Sequence, residues 1–190
     1  LRTLVLATKA AHCLNDILFR QRAGQLPVEI PLVLSNHEEL SSLAGFYGIP
    51  FEALPVTNPQ QKAAFEKRLL EVVEEHDIEL VVLARYMQVL SDEVCKKMSG
   101  RIINIHPSLL PKHKGLHTHE RAIEAGDTTS GCTIHYVTPG VDEGEIILQR
   151  SVPILPDDTP DTLAARVLEQ EHIAYPDAIR QLAAQISKPV

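Results

Sequence analysis

Arg101-Ile-Ile-Asn104-Ile-His106-Pro107-Ser-Leu-Leu-Pro111 is the stretch whose reading decides the fold. Its first half is an apolar run of strand length, and neither Pro107 nor Pro111 can donate to a β-ladder, so a strand over Ile102–Ile105 ends near His106. Period-2 alternation sends Asn104 and His106 to the same face of the sheet. Before this run the chain alternates strand with helix; after it the alternation stops.

Upstream, Leu4–Ala7, Ile30–Ser35, Phe51–Pro55 and Leu80–Leu83 read as strands, with helices over Asn15–Ala23, His37–Tyr47, Gln60–His76 and Asp92–Met98. The clearest helix is Gln60–His76, which places Phe65, Leu69, Val72 and Val73 on one face; Gly48 closes the helix before it. This order predicts a Rossmann-like α/β fold: a mostly parallel sheet, right-handed crossovers and helices on both faces. Downstream, a short helix over His119–Ala125 ends at Gly126, and Ser130–Val137 and Ile146–Val152 read as an antiparallel pair. Asp158-Thr-Pro160 caps a helix that runs through Glu171, and a last helix covers Tyr175–Gln185. One domain over residues 1–190 is expected, a nucleotide-fold half (1–100) followed by a half (101–190) with an antiparallel C-terminal extension.

The composition is that of a globular chain, 44% hydrophobic and 23% charged. A net charge of −7 argues against a nucleic-acid partner, which would call for a basic face. No apolar run reaches the ~18 residues needed to span a bilayer. Cys13, Cys95 and Cys132 are odd in number and widely spaced, which fits a reducing cytoplasm rather than a disulfide framework or a thiolate metal site. The opening on Leu1 without an initiating Met suggests a domain taken from a longer protein, with room for an N-terminal module before it. A homo-oligomer is compatible with all of this.

In a sheet of this kind ligands bind at open strand ends, where Asn104 and His106 stand. An amide N–H₂ can hold a developing oxyanion, and an imidazole beside it can move a proton near pH 7. Asp142, in the turn Val141-Asp142-Glu-Gly144, is the carboxylate that would orient the imidazole, stabilise its charge or position a water. An ordinary strand end can also read Asn-x-His, so the reading depends on its surroundings. His106, His113, His117 and His119 fall within fourteen residues, but His117-x-His119 lacks the i, i+4 helical pairing of an H-E-x-x-H site and has no obvious carboxylate ligand beside it, so no metal site is expected. The first strand-to-helix turn, Ala7-Thr8-Lys9-Ala10-Ala11-His12, has no glycine with which to close backbone N–H groups on a phosphate. Lys9 and His12 remain candidates for a smaller anion at the helix N-terminus.

With Asn104-Ile-His106-Pro-Ser-Leu-Leu-Pro111, Gly131-Cys-Thr-Ile-His135-Tyr-Val and Val141-Asp142-Glu-Gly144, the chain resembles the formyltetrahydrofolate-dependent formyltransferase and hydrolase superfamily over nearly its whole length. The resemblance implies a formyltransferase-like fold, 10-formyltetrahydrofolate as substrate or formyl donor, no metal, and Asn104, His106 and Asp142 as the catalytic trio. It also implies a folate slot at Tyr86, Met87, Gln88 and Leu90, with backbone contacts from Thr138, Pro139, Gly140 and Val141. Lys9, His12 and Glu171 are the expected acceptor or anion pocket.

The two halves resemble different branches. Lys9-Ala-Ala-His12-Cys-Leu-Asn-Asp16 and Leu83-Ala-Arg85-Tyr-Met-Gln-Val-Leu90 look like the formyltetrahydrofolate deformylases, which release formate and carry an N-terminal regulatory domain. His106-Pro107, Gly115-Leu-His117-Thr-His119 and Gln170-Glu171-His172-Ile-Ala-Tyr-Pro176 look like the glycinamide ribonucleotide formyltransferases of purine biosynthesis. In those transferases a Gly-Ser-rich first loop holds the substrate phosphate and the glutamate matching Glu171 contacts substrate. Charge-assisted contacts are worth ~1.5–3 kcal/mol each, so losing that loop weighs more than keeping the glutamate. Hydrolysis to tetrahydrofolate and formate is therefore expected, with transfer to glycinamide ribonucleotide as the alternative; a recombined origin would explain the split. A binding module without turnover is disfavoured by the complete trio, and a carbohydrate-modifying formyltransferase by the lack of a segment to recognise a nucleotide sugar.

Overall fold

A computed structural model describes residues 1–187. Seven strands form one sheet in the order β3-β2-β1-β4-β5-β6-β7: β1 (Arg2–Ala7), β2 (Glu29–Ser35), β3 (Phe51–Ala53), β4 (Leu80–Ala84), β5 (Ile102–His106), β6 (Thr129–Tyr136) and β7 (Ile146–Pro153). The first five run parallel, and β6 and β7 are antiparallel additions, so the direction changes at β5, where the sequence pattern changes. The helices are α1 (His12–Arg22), α2 (Ser41–Phe46), α3 (Pro59–Glu75), α4 (Asp92–Lys97), α5 (Thr118–Glu124) and α6 (Pro160–Ile186). Among the described residues no helix is long and apolar enough to cross a membrane.

The central strands are apolar on both faces because both faces are covered. Leu4, Leu6, Val81, Leu83 and Ile102 pack with Phe65, Leu69 and Val72 of α3 and Val94 of α4. Val5, Ala7, Val82, Ala84, Ile103 and Ile105 pack on the other face with Leu14 and Leu18 of α1 and Val167, Tyr175 and Ile179 of α6.

Three of the larger differences from the sequence reading each have a local reason. α1 begins at His12 rather than Asn15, because Cys13, Leu14, Ile17 and Leu18 together form its buried stripe. α2 is confined to Ser41–Phe46, because upstream the Ser35 hydroxyl accepts from the His37 N–H (3.1 Å) and Asn36 is held by Thr8, which offers the backbone a turn instead of a helix. The two expected C-terminal helices are one, α6, with Pro176 inside it. Proline lacks the N–H that would bond the carbonyl four residues back, at His172. That carbonyl instead accepts from the Arg20 guanidinium (3.0 Å), itself held by Asp16 at 2.9 Å, so the helix continues through the proline.

The pairing of β4 with β5 stops at Val82 and Ile103, although both strands go on to Ala84 and His106. Their outer neighbours remain paired to the end, β1 with β4 through Ala84 and β5 with β6 through His106. At the seam the buried Tyr175 hydroxyl faces two strand carbonyls, Leu83 O (2.8 Å) and Ile103 O (3.2 Å). It supplies there the donor that the interrupted ladder does not. Tyr175→Phe removes that donor and should cost ~1–3 kcal/mol. Urea unfolding should show it as a lower midpoint with an unchanged slope.

Candidate active site

Past the seam lies a cleft of about 760 Å³. It is lined by the ends of β4 and β5, the segment after β5, Asp142 from the β6–β7 connection and one face of α6. Asn104 and His106 lie two apart on β5 and sit opposite His135 and Thr133 of β6, so all four side chains share a face. The Asn104 side chain makes no hydrogen bond among the described residues and is left to face the cleft.

His106 is almost fully buried. Its Nε2 lies 2.9 Å from the His113 carbonyl, which can only accept, so this nitrogen carries the hydrogen of the neutral ring. Nδ1 then turns its lone pair toward Asp142 Oδ2, 3.4 Å away. His135 repeats the arrangement: Nδ1 donates to Tyr136 O (2.9 Å), leaving Nε2 3.6 Å from Asp142 Oδ1. Two acceptor nitrogens thus flank one carboxylate, and a proton added between either pair would be held from both sides. Burial pushes the His106 pKa down, outweighing the His113 carbonyl and the Asp142 charge, so the ring rests neutral. Burial opposes ionisation of Asp142, but the Gly115 N–H, together with a proton on the His135 or His106 nitrogen that faces it, outweighs this and holds the carboxyl below its usual range.

Asp142 has φ 52°, a left-handed conformation uncommon outside glycine, and its Oδ2 accepts from the Gly115 N–H at 2.9 Å. Two residues on, a Cβ on Gly144 would collide with the Tyr136 carbonyl, so glycine is what lets this turn close against the end of β6. The segment 113–117 that supplies the Gly115 N–H is anchored by His113 Nε2 on Asp127 (2.7 Å), while His117 is exposed and pairs with Glu120 at 3.5 Å.

Of the expected folate residues, Tyr86, Met87, Gln88 and Val141 line the cleft. Leu90 does not: it is buried in the core against α3 and α4. Thr138, Pro139 and Gly140 also stay outside the lining, because the connection enters the cleft only at Val141. In the expected anion pocket, His12 and Glu171 line the cleft and Lys9 does not, since its exposed ammonium turns to Glu39 at 3.7 Å. The first turn is closed by side chains. Thr8 Oγ1 donates to Asn36 Oδ1 (2.8 Å) and accepts from Met87 N (2.9 Å), and Ser35 Oγ donates to Thr8 O (3.2 Å).

Sequence reasoning missed His135, Arg85 and the α6 face carrying Asp161, Ala164, Ala165 and Leu168. Each carried a signal: His135 by cross-strand register with Asn104, Arg85 by following an apolar parallel strand, and the α6 residues by their i, i+3, i+4, i+7 spacing.

The formyl transferase family model matches residues 1–179. The chain is 42% identical over 179 residues to the formyltetrahydrofolate deformylase of Corynebacterium sp. (strain P-1), covering 94% of this chain and 62% of that protein. It is 42% identical over 166 residues to the trifunctional purine biosynthetic protein adenosine-3 of Drosophila pseudoobscura pseudoobscura, covering 86% of this chain and 12% of that protein. Both relatives are thus much longer than the segment matched. The crystal structure of phosphoribosylglycinamide formyltransferase from Bacillus halodurans superposes with a TM-score of 0.90 at 37% identity, covering 98% of this chain and 97% of that one.

Three cleft histidines, His12, His106 and His119, have pKa values lowered first by burial, with the Arg85 charge acting in the same direction. The unfolded chain takes up these protons near the ordinary value of about 6.5, the folded chain only at lower pH. Stability is therefore fully present above that value and drains as pH falls through it toward the folded values. The melting temperature should fall from pH 7 to pH 5, by about 2–4 °C per kcal/mol lost in a domain of this size. His119→Gln should flatten that fall in thermal scans across the range.

Proposed function

The chain belongs to the formyl transferase family, and from that premise we propose that it hydrolyses 10-formyltetrahydrofolate to tetrahydrofolate and formate. Water attacks the formyl carbon, and the carbonyl oxygen becomes an oxyanion beside the free Asn104 amide. The water's proton passes to the Asp142–His106 pair, whose facing acceptor atoms are 3.4 Å apart. On collapse, the bond from carbon to the folate nitrogen breaks, that nitrogen takes the stored proton, and the product leaves as formic acid, which gives its remaining proton to water and becomes formate. Tyr86, Met87, Gln88 and Val141 line the part of the cleft assigned to the folate ring.

The observation that carries water over an amine acceptor is the closed first turn. A phosphate-bearing acceptor calls for backbone N–H groups presented by glycines; here Thr8 is tied to Asn36 and Met87, and Lys9 is drawn to Glu39. Transfer to glycinamide ribonucleotide is the second reading. It is favoured by Glu171, which lines the cleft with its carboxyl pushed up by burial.

Formate release from 10-formyltetrahydrofolate, assayed with and without glycinamide ribonucleotide, separates the two. Equal rates are expected. Formyl loss that begins only on adding the ribonucleotide sinks hydrolysis. Asp142→Asn and His106→Ala should each lower kcat by about 10²–10⁴-fold, and near-normal turnover in either would remove that group from the mechanism.

A further inference from the structure

The geometry points to a small-oxyanion subsite in the cleft built on the Arg85 guanidinium, with His12 and His119 beside it, taking the carboxylate of formate as it leaves. This rests on the hydrolytic reading above. Nine of the ten arginines hydrogen-bond to the protein: Arg2, Arg20, Arg22, Arg68, Arg101, Arg121, Arg150, Arg166 and Arg180. Arg85 has no such bond and no ion pair among the described residues, and its Nε is buried without a partner. A guanidinium is a planar fork of donors suited to a carboxylate or phosphate, and burying one of its donors unsatisfied is costly. This one lines the same cleft as Asn104, His106 and Asp142.

Its backbone points the same way. Arg85 directly follows β4 and has φ 59°, a conformation a long L side chain seldom adopts, and such outliers cluster at functional sites. Its neighbours offer further donors, and the cleft carboxylates Glu120, Asp142, Asp161 and Glu171 make no ion pair with it among the described residues. His119 Nδ1 is buried without a partner, and His12, at the start of α1, lies ring to ring 6.2 Å from His172 of α6. Glu171 lines the same cleft, its carboxyl pushed up by burial against the pull of the Arg85 charge, and it makes no hydrogen bond or ion pair to Arg85 among the described residues. Thr8, whose hydroxyl accepts from Met87 N, holds the segment that follows Arg85 against the first turn. The closed turn thus excludes one anion site and steadies another.

Sodium formate and inorganic phosphate can serve as separate probes at constant ionic strength, without folate, with the His12 and His119 imidazole resonances followed by NMR. Saturable shifts with formate, weakened at least tenfold in Arg85→Gln and partly restored in Arg85→Lys, are the expected result. Saturation by phosphate alone, lost in the same variant, would keep the oxyanion subsite, move it to a phosphate-bearing acceptor and count against hydrolysis. No saturation by either anion, or equal affinity in Arg85→Gln with its melting temperature retained, overturns the subsite and leaves hydrolysis to the formate-release assay. Should Arg85→Gln fail to fold, Arg85→Lys decides: affinity unchanged by the shorter ammonium would overturn the guanidinium assignment.

Discussion

The separation of β4 from β5 is the constraint on which the rest of the structure depends. Two neighbouring parallel strands normally stay paired, because an unpaired buried carbonyl is costly. Here the ladder stops at Val82 and Ile103, and a tyrosine brought in by the longest helix faces the carbonyls just beyond. A cleft can then open inside the sheet's own C-terminal edge. Asn104 and His106 gain access to it while their backbone stays fixed by β6, which holds a reactive pair on a rigid element.

The chemistry depends on bringing a carboxylate from a loop to that rigid pair. Asp142 arrives in a strained conformation, aligned by the Gly115 N–H from a segment that His113 anchors to Asp127. Both imidazoles near it have spent their single neutral-ring hydrogen on backbone carbonyls. A site wired this way is short of one proton at rest, which suits a group that must first accept a proton and then return it.

Much of this was legible in the sequence, where a periodicity or a covalent restriction controlled the outcome. Prolines at 107 and 111 marked the strand end, period 2 put Asn104 beside His106, and Gly48 and Gly126 stand just past helix ends with left-handed φ values of 70° each. What escaped depended on contacts between distant parts of the chain. His135 matters through its register with β5, and Lys9 is lost from the cleft to Glu39 on the opposite side of the first crossover. The helix boundary expected before Tyr175 followed the local rule for proline. The rule failed because the Arg20 guanidinium, 152 residues away in sequence, met the orphaned carbonyl.

That last contact bears on how such a chain can vary. Arg20 lies in the part of the sequence that resembles one branch of the superfamily and Pro176 in the part that resembles the other, yet neither is comfortable without its counterpart. Replacing Arg20 would leave the His172 carbonyl without its donor, and restoring a non-proline residue at 176 would set a second donor against the same carbonyl, so the two positions are coupled.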